Sequence, residues 1–335
     1  MTRVTTDTPS PALPRGVCWD IPHLYADDRI MSAAPRQTAS FLMQRFREVG
    51  LEPDKRRGQN FLIDLNLLEI LAKEADITDR DVVLEVGTGL GSLTALMAER
   101  AAAVVTVEID KHLQLLASEV LDGFDNVVLL PHDALKNKNH LHPAVIQAVQ
   151  AKLNEAPERR FKLAANLPYC IATPIISNLL STPFVPVSMT VTIQKELGER
   201  IVAKPCTKDY SALSIWIQAQ GVAQILRTLP PQVFWPRPKV DSVIVQIIPD
   251  ADKRASIPDL EFFHTFVRSM FFHRRKFLRS VLVAAMKGQL TKPQVDKVLE
   301  SQDLGPTARA EELDVEKMLS LCEAVRQSLT ENSSN

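Results

Sequence analysis

The sequence predicts an α/β fold: a parallel sheet with helices on both faces, followed by a small all-helical domain. Three observations predict it. Short apolar runs alternate with helix-period segments from about residue 82 to residue 193. The first of those runs ends in a glycine turn that opens a helix. From Pro258 onward only helical patterns remain. Strands alternating with helices bury a parallel sheet between two helical layers.

The elements follow in order. Residues 1–34 carry early prolines (Pro9, Pro11, Pro14, Pro22) and read as a disordered extension. They lack the basic-then-apolar order of a signal peptide. Residues 37–49 read as a helix closed by Gly50. A basic stretch follows (Lys55, Arg56, Arg57, then Gly58), and Asp64 suits the N-cap of a helix over 65–75. Strands are expected at 82–86, 103–107, 126–130, 161–165 and 187–193. Helices are expected at 92–100, from Lys111, within 140–153 and from about Thr173. Two late strands, 222–229 and 240–248, flank the proline-rich loop PPQVFWPRPK and suit an antiparallel pair at the sheet edge. The expected organisation is an extension over 1–34, a sheet domain over 35–250 and a helical domain over 256–330.

Composition narrows the classes of function. Hydrophobic content of 45% and charged content of 24% fit a globular chain. No apolar run approaches the ~18–20 residues of a membrane helix. Cys18, Cys170, Cys206 and Cys322 are scattered without metal spacing, and the seven histidines form no HExxH pattern. No metal site is expected, and free thiols point to a reducing cytoplasm. Formal net charge is −1, but residues 236–290 hold ten Lys/Arg against five Asp/Glu. No acid occurs between Phe262 and Leu290. That local excess reads either as a nucleic-acid footprint or as a solvated helix face.

The strand DVVLEV runs into GTGLG, with glycines at 87, 89 and 91. A glycine turn from strand to helix is the mononucleotide-binding geometry of doubly wound folds. Position 92 is Ser, so the dinucleotide spacing is not met, and no Walker lysine follows to grip a triphosphate. Glu108 ends the next strand, 21 positions after Gly87, where an acid accepts ribose hydroxyls. Asp110, two residues on, also suits a helix N-cap. Asp133 lies beyond the third strand, as an acceptor for an adenine amino group or as a turn residue. The set suits an adenosyl ligand with an uncharged linker, such as S-adenosylmethionine.

Residues 164–174 read AANLPYCIATP. Asn166 follows the fourth strand, at the same sheet edge as the glycine turn. An exocyclic adenine amine is a poor nucleophile because its lone pair is delocalised into the ring. Two acceptors for its two N–H bonds favour a pyramidal nitrogen with the lone pair aimed outward. The Asn166 side-chain carbonyl and the Leu167 backbone carbonyl can supply them. Pro168 removes a competing donor, and Tyr169 offers a ring on which a base stacks, worth ~1–3 kcal/mol. The simpler alternative is a strand-ending turn with a core Tyr.

Nine motifs now stand in one order: GQNFL, EVGTGLGSLT, VEID, HDAL, ANLPY, IQKELGERI, FWPRPKVDS, FHRRKFLRS and RAEEL. Over residues 37–330 the chain thereby resembles the small-subunit ribosomal RNA adenine N6-dimethyltransferases of the KsgA type. The resemblance implies a Rossmann-like methyltransferase sheet with a helical RNA-binding domain, S-adenosylmethionine as methyl donor, and no membrane. It implies dimethylation of two adjacent adenosines in the last hairpin loop of 16S rRNA, on the immature 30S subunit, by a cytoplasmic monomer. Donor contacts carry over to Asn60, Leu62, Gly87, Glu108, Asp133 and Asn166. Asn166, Leu167 and Tyr169 carry over as the catalytic set. Phe234 carries over as a second stacking ring opposite Tyr169, and Arg274, Arg275 and Lys276 as contacts to rRNA phosphates. Thr88 stands where the family often has Pro, which is expected to loosen the turn. Ala172 replaces a common Ser, and residues 1–34 have no counterpart. The alternatives are a 23S rRNA or DNA adenine methyltransferase, or an rRNA-binding assembly factor without catalysis. The helical tail argues against the first pair. Intact Gly87, Glu108, Asn166 and Tyr169 argue against the last.

Overall fold

A computed structural model describes residues 39–48, 50, 52–53 and 58–333. The chain divides into two units, Met1–Ala33, which lies outside the described residues, and Ala34–Asn335. The readings of residues 1–34 and of the basic stretch 55–57 fall outside the described residues.

Seven strands make the central sheet: β1 (Asp81–Val86), β2 (Ala103–Val107), β3 (Val127–Leu130), β4 (Arg160–Asn166), β5 (Ser188–Gln194), β6 (Gly221–Leu229) and β7 (Ser242–Pro249). Their spatial order is β3-β2-β1-β4-β5-β7-β6. Neighbours among β1 to β5 pair in parallel. β7 runs antiparallel to both β5 and β6. This is the expected parallel α/β sheet with its late antiparallel pair. Strand order reverses between β1 and β4, and such a switch point opens a crevice at the carboxyl ends.

Sequence period explains the layers. Side chains alternate faces along a strand. Val82, Leu84 and Val86 of β1 join Phe161, Leu163 and Ala165 of β4 and Val243 and Val245 of β7 in one apolar cluster. Val83, Ala164 and Ile244 face the opposite cluster. β1 is buried along its whole length, as a central parallel strand must be.

The helices are α1 (Ala39–Glu48), α2 (Leu65–Glu74), α3 (Ser92–Ala98), α4 (Lys111–Leu121), α5 (Pro143–Leu153), α6 (Ala172–Ser181), α7 (Lys195–Ile201), α8 (Ala212–Gln218), α9 (Ala251–Ala255), α10 (Leu260–Phe271), α11 (Leu278–Ala285), α12 (Lys292–Ser301) and α13 (Val315–Ser333). Leu68 and Leu71 of α2 and Met97 of α3 cover one face of the sheet. Val145 of α5, Ile176 of α6 and Ile215 of α8 cover the other. Phe263, Leu282, Val295 and Leu321, from α10 to α13, lie in that same second cluster. No helix among the described residues is long and apolar enough to cross a membrane.

Two predicted caps are present. Asp64 accepts from the Asn66 and Leu67 amides, and Asp110 accepts from the His112 and Leu113 amides. Asp110 is thus the cap of α4, which leaves Glu108 as the acid at the end of β2. Other features escaped the sequence. Residues 135–137 pair with 140–141 as a small hairpin before α5. Phe61–Leu62 pairs antiparallel with Phe234–Trp235, joining two motifs about 170 residues apart. β7 begins at Ser242 rather than at Val240, which is exposed.

The amino edge of the sheet is held by charge. Asp81 is fully buried and meets Lys162 at 3.1 Å and Arg160 at 3.0 Å. It also accepts from the Thr78 amide at 2.8 Å and hydroxyl at 2.9 Å. These contacts tie β1 to β4 at the end opposite the crevice.

Candidate active site

β1, β2 and β4 deliver their last residues to one edge. There a cleft is lined by Asn60, Gly87, Gly89, Glu108, Asp133 and Asn166, together with Leu167 and Pro168. Five positions expected to hold a methyl donor, at 60, 87, 108, 133 and 166, therefore meet in one place.

The turn after β4 is clamped from two sides by glycines. Gly87 has φ +88°, and a Cβ there would come within 3.1 Å of the Pro168 ring. Gly58 has φ +66°, and a Cβ there would lie 3.1 Å from the Tyr169 amide nitrogen. Both positions need the left-handed conformation and the missing side chain. The GQNFL and GTGLG motifs are thus the two jaws that hold NLPY.

Within that clamp the Asn166 amide is oriented. Its Nδ2 donates to the Asn60 carbonyl at 2.9 Å. Its Oδ1 is buried and has no hydrogen-bond partner. The donor contact fixes which end of the amide faces which way, so the free end is the acceptor. A buried acceptor left unpaired costs about 1–3 kcal/mol. Among the described residues five buried side-chain polar atoms have no partner, and Asn166 Oδ1 is the one whose residue lines the cleft. Leu167 is buried behind it. Tyr169 is half-buried, and its hydroxyl meets the Ser242 hydroxyl at 2.5 Å, which anchors the ring to the start of β7.

Two glutamates lie on the neighbouring wall. Glu108 accepts from the Gly89 amide and from the Asp110 amide, each at 3.0 Å. Burial raises its carboxyl above the usual range, and these amide donors oppose the shift. Glu85 sits one layer deeper. Its Oε2 accepts from the Thr94 hydroxyl at 2.5 Å and the Thr106 hydroxyl at 2.6 Å. Burial pushes the Glu85 carboxyl up to about 8, against the lowering effect of those two hydroxyls. The Thr88 hydroxyl meets that of Thr106 at 2.6 Å and so joins this network. Thr88 therefore ties the glycine turn down, where loosening was expected from the loss of Pro. Asp133 spends one oxygen on the Leu135 amide at 2.9 Å, so its turn role is real, and it still lines the cleft.

Other expected residues lie elsewhere. Leu62 does not line the cleft; it packs with Leu68 and Leu71 beneath α2. Phe234 does not present an open ring. Its pairing opposite Leu62 draws it into the same cluster, where it is 2% exposed. Arg274 is committed to the protein: it pairs with Glu311 and donates to the carbonyls of Lys208 and Thr207. Arg275 and Lys276 are exposed beside it. Ala172 is fully buried at the start of α6. Pro174 is the third residue of that helix, still within its first turn, where the missing amide costs no helical bond.

Sequence reading missed the Asn60 carbonyl, the Glu85 network and Ser242. Gly58, in GQNFL, was the available signal for the first, since a glycine before a short strand marks a close backbone approach.

The residues fit an adenosyl donor. Gly87 and Gly89 keep the turn bare, Glu108 supplies a carboxylate wall, and the orphaned Asn166 oxygen faces a partner that the protein does not provide. A doubly wound sheet with these features defines an adenosyl-binding α/β enzyme. The model of the ribosomal RNA adenine dimethylase family matches residues 52–326, and the chain belongs to that family. It is a methyltransferase that dimethylates rRNA adenine with S-adenosylmethionine as donor. The chain is 36% identical over 290 residues to the ribosomal RNA small subunit methyltransferase A of Moorella thermoacetica, covering 86% of this chain and 96% of that one. It is 37% identical over 290 residues to the protein of the same name from Alkaliphilus oremlandii, covering 87% and 96%. A dimethyladenosine transferase from Plasmodium falciparum shares the fold, with a TM-score of 0.67 and 24% identity over 79% of this chain and 97% of that one. The 23S rRNA methyltransferase ErmE aligns with a TM-score of 0.56 and 25% identity over 80% and 100%.

Proposed function

We propose that this chain dimethylates N6 of two adjacent adenosines in the 3′-terminal hairpin loop of 16S rRNA. It acts as a cytoplasmic monomer on the immature small ribosomal subunit. The small-subunit assignment is supported by relatives named for that activity at 36–37% identity over nearly their whole length. The observation that carries the chemistry is the unpaired, buried Asn166 Oδ1 beside a glycine turn and a ribose-type acid.

Asn60, Gly87, Glu108, Asp133 and Asn166 hold S-adenosylmethionine, which supplies a methyl group on a sulfonium leaving group. The chain's own part is to present the amine. In the first transfer Asn166 Oδ1 and the Leu167 carbonyl each accept one N–H of the target, so its lone pair is freed from the ring. In the second, the monomethylated amine has one N–H left and one of these acceptors holds it. No strong base is needed, because the N–H proton becomes acidic only once the new bond forms and then leaves to water. The half-buried ring of Tyr169 supports the base after it leaves its stack. Its hydroxyl bond to Ser242 keeps that ring from turning with each substrate.

Incubating the protein with labelled S-adenosylmethionine and, side by side, unmethylated 30S subunits and 50S subunits, then mapping the label, tests this reading. Two adjacent dimethylated adenosines in the last 16S hairpin are expected. Label confined to 23S rRNA, or absent with a folded protein, would overturn it.

A further inference from the structure

The turn between α10 and α11 carries an exposed aromatic ring that the core does not use. Phe272, directly after α10, is 80% exposed, more than any other large hydrophobic side chain among the described residues. His273 packs against its ring edge, with centroids 4.9 Å apart at 81°, so one neighbour props the ring. It sits in a surface groove with Lys208, Arg275, Lys276 and Arg309. The groove's one acid, Glu311, is already paired with Arg274. Arg274 also reaches the carbonyls of Thr207 and Lys208, so it braces the rim rather than facing a ligand. Arg309 lies over the Phe277 ring at 5.6 Å, a second aromatic surface beside the first.

An exposed phenyl ring beside cations that have no ion pair among the described residues has a specific complement. A bare apolar patch alone suits many partners, and cations alone suit any phosphate. Ring and cations together match single-stranded nucleic acid, in which a base stacks while flanking phosphates meet Lys and Arg. We propose that Phe272 is a stacking platform for one unpaired base of the substrate rRNA. Lys208 holds a flanking phosphate beside Arg275 and Lys276, whose phosphate contacts the family resemblance already implies. The inference rests on the rRNA reading above and adds a second base-binding point outside the catalytic cleft.

The test measures binding to unmethylated 30S subunits over a salt series. Stacking worth ~1–3 kcal/mol predicts that Phe272→Ala weakens binding about 5- to 150-fold with an unchanged salt slope. Phe272→Tyr, which keeps the ring, should stay within about two-fold of wild type. Arg275→Ala with Lys276→Ala should instead flatten the slope, by about 0.7 per lost phosphate contact on a single strand. With Phe272→p-benzoylphenylalanine, photocrosslinking should go to one unpaired rRNA nucleotide. Wild-type affinity in Phe272→Ala overturns the proposal, and so does crosslinking to a ribosomal protein. If the wild-type protein methylates rRNA while Phe272→Ala binds normally, only this inference falls. If wild type neither binds nor methylates rRNA, the functional reading falls with it.

Discussion

Glu85→Gln should remove the pH dependence of stability contributed by one buried group. In the folded chain this carboxyl is buried beneath the glycine turn and is pushed up from 4.5 to about 8. Between those values the unfolded chain has released the proton and the folded chain keeps it. The contribution is therefore fully present below pH 4.5 and is lost as pH rises towards 8. Each pH unit in that window costs the fold up to ~1.4 kcal/mol, so the whole window is worth about 5 kcal/mol as an order of magnitude. Gln is neutral throughout and has no such slope. Its oxygen can accept from Thr94 and Thr106, but its second N–H needs a partner, which costs about 1–3 kcal/mol if none is found. The variant should be slightly less stable than wild type at pH 5 and more stable at pH 8. The assay is urea unfolding of both proteins side by side from pH 5 to 8.5, so that other titrations cancel in the difference. A difference that does not change with pH would mean that Glu85 is ionised in the fold, and would refute the buried-acid reading.

The remaining predictions concern the clamp, the Asn166 amide and the far edge of the sheet. Asn166→Ala should cut methyl transfer by about 10²–10³-fold or more, the scale on which one preorganised polar contact acts in a transition state. Isothermal titration should show only a modest loss of donor affinity, and near-wild-type turnover would sink the two-acceptor argument. Gly87→Ala places a side chain at φ +88° and 3.1 Å from Pro168. It should cost roughly 1–2 kcal/mol in urea unfolding and weaken donor binding more than it weakens binding of RNA. Asp81→Ala leaves the buried Lys162 ammonium at the opposite edge without its counter-charge, held only by the Ala75 and Asp76 carbonyls. A loss of about 3–5 kcal/mol is expected, and the donor affinity of the protein that remains folded should not change.

The sheet was legible because it is written locally. Each central strand is a short apolar run, and the two predicted caps, Asp64 and Asp110, each stand just before their helices, so neither needs information from afar. The glycine turn and Glu108 were legible for the same reason: their spacing lies within one strand–helix–strand unit. Phe234 and Arg274 have surroundings that come from distant chain. Phe234 is buried by pairing with Leu62, 172 positions away, and Arg274 is held by Glu311 and a loop more than 60 residues upstream. Neither partner leaves a mark in the motif it captures.

The Asn166 amide shows where local reading ends and geometry begins. From the sequence, Asn166 is a polar residue at a strand end, equally suited to closing a turn. A turn asparagine satisfies its side-chain oxygen with a nearby backbone amide, as Asp133 does with Leu135. Asn166 does the opposite: it gives its nitrogen to Asn60, 106 residues away, and leaves its oxygen buried without a partner. The two roles therefore differ in a measurable way, by which end of the amide is spent. If an adenine amine is the missing partner, Asn166→Asp should be no neutral replacement. A carboxylate has no N–H for the Asn60 carbonyl and places two acceptors against it, so the group must turn or take up a proton. Methyl transfer by Asn166→Asp should then fall at neutral pH and recover in part as pH is lowered and the carboxyl takes up a proton to donate to Asn60. A pH-independent defect would mean that the Asn60 contact does not orient the site.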